Sequence, residues 1–235
     1  MQYQGYPQAR QGAVAQGQTD SREKFIVRTY NHLFGAIVLF ALIEIGIFMS
    51  GLAEPMAVAM MGSGSAWMLV LGAFIVVSWI ASRAAHMSLS KGTQYAALIG
   101  FVAAEAVIFV PLLYIANSVA PGVIQSAALV TMAGFAGLTG IAFWTRKDFS
   151  FLGGLLRWGF ILALVAIVSA LIFGFHLGTW FSVAMVGLAG AAILYDTSKI
   201  LRDFPEDRYV AAALELFASV ALMFWYVISI FLSRD

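Results

Sequence analysis

Thr179-Trp-Phe-Ser-Val-Ala-Met-Val-Gly-Leu-Ala-Gly-Ala-Ala-Ile-Leu-Tyr-Asp-Thr-Ser-Lys199 is an apolar run of the length a helix needs to cross a hydrocarbon core, roughly 20 residues. It closes on Asp196, and an ionisable side chain inside such a run is costly enough to mark a functional-site candidate. Outward from it, six further runs occupy 28–49, 67–83, 94–116, 123–144, 155–175 and 210–232. Short connectors rich in Gly, Pro, Asn and Ser, such as Asn117-Ser-Val-Ala-Pro-Gly122, join them and are too small to be domains. One all-α membrane domain with seven transmembrane helices therefore fills residues 25–235.

Composition agrees: 62% of the 235 residues are hydrophobic and 11% charged, with mean hydropathy +0.90, beyond what a soluble core of this size needs. Cysteine is absent, which excludes a disulfide framework, a thiolate nucleophile and a Cys-ligated zinc site. His32, His86 and His176 lie far apart and lend no support to a His metal site or triad. Residues 1–24 are rich in Gln, Gly and Ala and hold no apolar block that would serve a secretion signal. They read as a disordered cytoplasmic tail, either a passive extension or a handle for a partner.

Lys and Arg set the orientation, because positive connectors stay cytoplasmic. Arg10, Arg22, Lys24 and Arg28 precede or open the first span; Arg83 and Lys91 lie between the second and third, Arg146 and Lys147 between the fourth and fifth, and Lys199, Arg202 and Arg208 between the sixth and seventh. The alternate connectors carry neither residue type. The N-terminus is thus expected in the cytoplasm and the C-terminus outside, with Trp67, Trp180 and Trp144 as interface anchors. Gly134, Gly137 and Gly140 in span four, with Gly187, Gly190 and Ala191 in span six, suit close helix packing. Pro111 is expected to kink or interrupt span three.

Four acids fall inside spans: Glu44, Glu105, Asp196 and Glu215. Two arrangements are open: an acidic ladder across the bilayer, or Glu44 and Asp196 at interfaces with the others neutral and hydrogen-bonded. On the last span, Glu215, Ser219, Leu222, Tyr226, Ser229 and Ser233 share one face, and a polar stripe there points inward. Arg83 and Arg157 lie in the layer of Asp196, where each either snorkels to headgroups or joins Asp196 and Glu215 in a charge cluster at the inner mouth.

Several chemistries are set aside. The last span has no lysine for a retinal Schiff base, and Asp196 is the lone aspartate within a span, whereas an aspartyl intramembrane protease needs two. Gly62-Ser-Gly-Ser-Ala66 reads as a loop without a paired histidine, and Asp148 with Ser150 as a helix cap. Arg202-Asp-Phe-Pro-Glu-Asp-Arg208 is mixed in sign, a solvated turn and no nucleic-acid patch. A non-enzymatic protein without a resident cofactor is the expectation.

Thr145-Arg-Lys-Asp-Phe-Ser-Phe-Leu-Gly-Gly154 and Ile193-Leu-Tyr-Asp-Thr-Ser198 resemble the signatures of the Bax inhibitor-1 family, also called the transmembrane Bax inhibitor motif family. The resemblance runs from about residue 25 to 235; the Gln-rich start and Phe231-Leu-Ser-Arg-Asp235 look like its proteobacterial inner-membrane branch. It implies six helices around a central seventh, and a proton-sensitive calcium leak gated by an aspartate on span six, a second on span seven and an arginine on span two. Asp196 matches the first, Arg83 lies nearest the arginine, and Ser219 stands where the second aspartate belongs. Glu215, one turn earlier, is the candidate replacement, so Asp196 and Glu215 are the expected contacts of a transient calcium ion. Membrane lipid and calcium or another cation are the implied partners. Some bacterial members instead modulate a membrane-anchored ATP-dependent protease, which is the alternative function.

Overall fold

The computed structural model describes residues 8–88 and 90–233, with side chains from residue 20 on, and every regular element among them is helical. In chain order these are α1 (Gln8–Met49), α2 (Ala53–Met61), α3 (Gly64–Met87), α4 (Lys91–Val119), α5 (Val123–Thr145), α6 (Leu152–Phe173), α7 (Gly178–Arg202), a 3₁₀ turn (Glu206–Arg208) and α8 (Tyr209–Leu232). Seven of the α-helices, all but α2, are long and apolar enough to cross a membrane.

α8 is the central helix and packs on α7, α1, α4, α5 and α3. α4 shares the interior with it: the apolar window of α4 is 61% buried and that of α8 56%, against 6% for α3 and 11% for α6. The outer helices therefore turn most of their apolar surface to lipid, as a bundle without an aqueous driving force permits. Gly134 and Gly190 sit in that interior, where a Cβ would meet Met223 Sδ at 3.4 Å and Leu138 Cδ1 at 3.2 Å. Gly137, Gly140 and Gly187 have nothing within 4 Å, so only two of the five packing glycines are needed for close approach.

Element boundaries differ from the sequence reading in four places. The stretch 8–24, which composition alone places in a disordered tail, continues α1, and its Ala and Gln content favours that conformation; residues 1–7 lie outside the described residues. With 42 residues α1 is about 63 Å long, twice a hydrocarbon core. The connector before α3 folds into α2, because Ala53, Ala57 and Met60 at helical spacing are buried, Ala53 and Ala57 packing with Val110. In the Gly62–Ala66 loop Ser63 Oγ accepts the Ala66 N–H at 3.1 Å and caps α3. α3 reaches Met87 and so places His86 on a helix, while α4 runs on through a buried Pro111.

The basic connectors gather at one end of the bundle and are tied together there. Arg22 donates to the carbonyls of Phe204 (2.7 Å), Arg202 (3.0 Å) and Ile200 (3.4 Å), filling acceptors that the C-terminus of α7 leaves open, and pairs with Glu206 at 3.4 Å. Lys91 bonds the Asp207 carbonyl, and Arg208 the Ser88 carbonyl. At the opposite end Thr179 Oγ1 donates to Ser233 Oγ at 2.9 Å, which joins the start of α7 to the end of α8.

Candidate functional site

A cavity of about 830 Å³ lies between α3, α4, α6, α7 and α8. On α7 its lining runs from Phe181 to Lys199, which is about 27 Å of helix and most of a bilayer core. Glu215, Ser219, Leu222 and Tyr226 line it, so this part of the α8 stripe points inward, whereas Ser229 and the exposed Ser233 do not line the cavity. Glu105 and Asp196 face the same space, whereas Glu44 does not: it is buried on α1 with neither carboxyl oxygen bonded among the described residues. Three of the four intramembrane acids are thus brought together and the fourth stands apart.

Ser219 Oγ donates to Asp196 Oδ2 at 2.8 Å, both residues being 8% exposed. One turn nearer the basic end, Glu215 receives two partners at once. Lys199 Nζ lies 3.1 Å from Oε2, and His86 Nε2 lies 2.8 Å from Oε1. The other ring nitrogen, Nδ1, faces the Ser82 carbonyl at 2.8 Å and must therefore carry hydrogen.

Lys199 and Glu215 line a second cavity as well, of about 410 Å³, bounded by His86, Asp203, Phe204 and Asp207. The pair is thus common to the walls of the deep cavity and of this vestibule. Arg83 and Arg157 do not join it: both are exposed, and Arg83 lies over the Trp79 ring at 5.5 Å from its centroid. His86 and Lys199 take the place the sequence reading assigns to arginine. The signal for Lys199 is its position three residues after Asp196, on the same helical face.

The two signature stretches form one unit against this site. Phe149 N donates to Ser198 Oγ at 3.1 Å, Ser198 Oγ donates to the Lys147 carbonyl at 3.4 Å, and Arg202 reaches the Arg146 carbonyl and Asp148 Oδ2, the latter at 3.6 Å. Gly153 lets the connector pass Tyr195, whose ring a Cβ would approach at 3.1 Å. Asp148 Oδ1 accepts the Ser150 N–H at 2.8 Å in a turn ahead of α6, whose N-cap is Phe151, so this pair shapes the connector and does not cap the helix. That hydrogen bond, helped by Arg202, holds the Asp148 carboxyl below the usual carboxylate range.

The profile of the family described as "Inhibitor of apoptosis-promoting Bax1" matches residues 22–235. The chain belongs to this family. Relatives include "Uncharacterized protein PA2604" of Pseudomonas aeruginosa, 37% identical over 46% of this chain and 49% of its own length, and "Modulator of FtsH protease YccA" of Escherichia coli, 35% identical over 39% and 42%. "Protein LIFEGUARD 1" of Arabidopsis thaliana is 33% identical over 46% and 48%. The chain spans about half the length of the relatives it matches.

Proposed function

We propose that the protein is a proton-sensitive cation leak, with calcium as cargo, whose closed partition is the Lys199–Glu215–His86 group backed by the Asp196–Ser219 hydrogen bond. The observation that carries this reading is that Lys199 and Glu215 line both the deep cavity and the vestibule, so moving one salt bridge joins the two spaces. The chain is a multi-pass protein of the bacterial inner membrane, as its seven apolar helices and the relative called "Inner membrane protein YccA" support. The clustering of Lys and Arg at the vestibule end supports a cytoplasmic vestibule. Asp196 and Glu215 are the contacts for a transient ion; the activity is non-enzymatic and uses no resident cofactor. Proton sensitivity is assigned to His86, because imidazole changes charge near neutral pH and this one is hydrogen-bonded to the carboxylate that holds Lys199. The test is calcium flux into proteoliposomes between about pH 6 and 8. Wild type is expected to leak with a pH dependence that Glu215→Gln abolishes; equal pH-dependent flux in both overturns the gate.

A second reading, that the protein modulates a membrane-anchored ATP-dependent protease, is supported by the similarity to a relative named as a modulator of FtsH protease. The N-terminal extension of α1 is the segment offered to that partner. Deleting residues 2–24 removes Arg22 and the clamp on α7 along with the extension, so the informative truncation removes 2–19 only. Loss of protease modulation with calcium flux retained supports this reading; modulation surviving the truncation counts against it.

A further inference from the structure

Glu105 sits near the middle of α4, 8% exposed, with its side chain on the deep cavity and no hydrogen bond or ion pair to any described residue. Its surroundings are aromatic. Phe101 and Phe109, one turn to either side on the same face, also line the cavity. Phe74 packs on Phe101 with ring centroids 6.2 Å apart, and Trp225 stands edge-on to Phe109 at 5.0 Å, with Trp67 stacked beyond it at 6.5 Å. An acid without a partner among aromatic side chains is the combination that suits an organic cation. The ionisable lining agrees in sign: three carboxyl groups, of Glu105, Asp196 and Glu215, against the single ammonium of Lys199, which Glu215 already engages.

We propose that this cavity binds lipophilic organic cations, amphiphiles with a quaternary or protonated nitrogen or a phosphonium centre among aromatic or alkyl groups, with Glu105 as counter-charge. Its volume of about 830 Å³ falls in the range that encloses a drug-sized molecule, roughly 300–1,000 Å³. The entry path is lateral. α6 packs chiefly on α7 while α3 packs on α4, and α3 and α6, which both line the cavity, scarcely touch each other. Their seam opens toward the hydrocarbon, where a lipophilic cation concentrates and a hydrated metal ion does not. Binding of this kind stands independently of whether the cavity conducts calcium.

The experiment is equilibrium dialysis of labelled tetraphenylphosphonium against the purified full chain in detergent, with calcium flux measured separately. Wild type is expected to bind saturably, Glu105→Asp to retain binding, and Glu105→Gln to weaken it on the order of tenfold or more. Ala218→Trp, which fills the cavity while every charged residue is kept, is expected to abolish binding. Neutral triphenylphosphine oxide is expected to bind no more tightly to wild type than to Glu105→Gln. No saturable binding by wild type overturns the proposal. So does equal binding by Glu105→Gln, or loss in Asp196→Asn with retention in Glu105→Gln. Loss of flux with binding intact sinks the leak and leaves this binding site standing.

Discussion

Ser219 Oγ donates a 2.8 Å hydrogen bond to Asp196 Oδ2 and so joins α8 to α7 in a buried layer. Ser219→Ala leaves that oxygen without its donor, and the expected loss of stability is about 1–3 kcal/mol, read from denaturant unfolding in detergent. Ser219→Asp sets two carboxylates at this spacing, where they share a proton and titrate as a pair. Its calcium flux is expected to respond to pH more steeply than wild type, and an unchanged profile would remove this bond from the gate.

Glu215 is the common partner of Lys199 and His86, with side-chain exposures of 22%, 30% and 33%. That lies between a solvated pair, worth little, and a fully buried one, whose breakage is costly. Glu215→Gln is expected to cost about 1–3 kcal/mol. A double-mutant cycle with Lys199→Met checks it: the two losses are expected to be non-additive, because either change already breaks the pair. Additive losses would show that the two side chains act separately.

The membrane fold is legible in the chain because seven apolar runs and an alternation of Lys and Arg are one-dimensional signals. Boundaries are less so, since they depend on partners distant in sequence: His86 is helical and bound to a carboxylate 129 residues away. For the site, Glu105, Asp196 and Glu215 announce themselves as charges in apolar runs. His86 and Lys199 stand at helix ends, where a charge is cheap and carries no such signal. Arg83 has the right depth and the wrong face, and depth is the quantity that run lengths report.

Asp148 is the acid outside the spans whose titration reports folding. The Ser150 amide and Arg202 favour its charged form in the folded state, so the folded chain holds that proton more weakly than the unfolded one. The resulting stabilisation is present above the unfolded value, about pH 4, and is lost as pH falls through the lower folded value. Melting of wild type and Asp148→Asn is expected to differ at neutral pH and to converge in acid. A gap that widens in acid would contradict the assignment.

Gly159 faces α7, where a Cβ would lie 2.5 Å from Leu188 Cδ1, whereas Gly137 has open space. Gly159→Ala is expected to lower the melting temperature, because Leu188 must leave its rotamer at a cost of about 1–3 kcal/mol. Gly137→Ala is expected to be neutral or stabilising, since it gains helix propensity of up to about 1 kcal/mol without a clash. The reverse order in a thermal-shift comparison would mean that α6 and α7 are spaced more widely than described.

Arg22 closes the end of the bundle by bonding three carbonyls at the α7 terminus and Glu206 beyond it. Its guanidinium spreads donors over several acceptors in a fixed plane, and a lysine ammonium presents a single point. Arg22→Ala is therefore expected to destabilise by about 1–3 kcal/mol, since these bonds involve a charged donor, and Arg22→Lys is expected to recover less than half of the loss. Because the clamped turn connects α7 to α8, its release also reaches the Lys199–Glu215 partition. Hydrogen exchange should then quicken at residues 200–208 in Arg22→Ala while the α4 interior stays protected. Exchange unchanged at that turn would show that α7 and α8 hold their junction without α1.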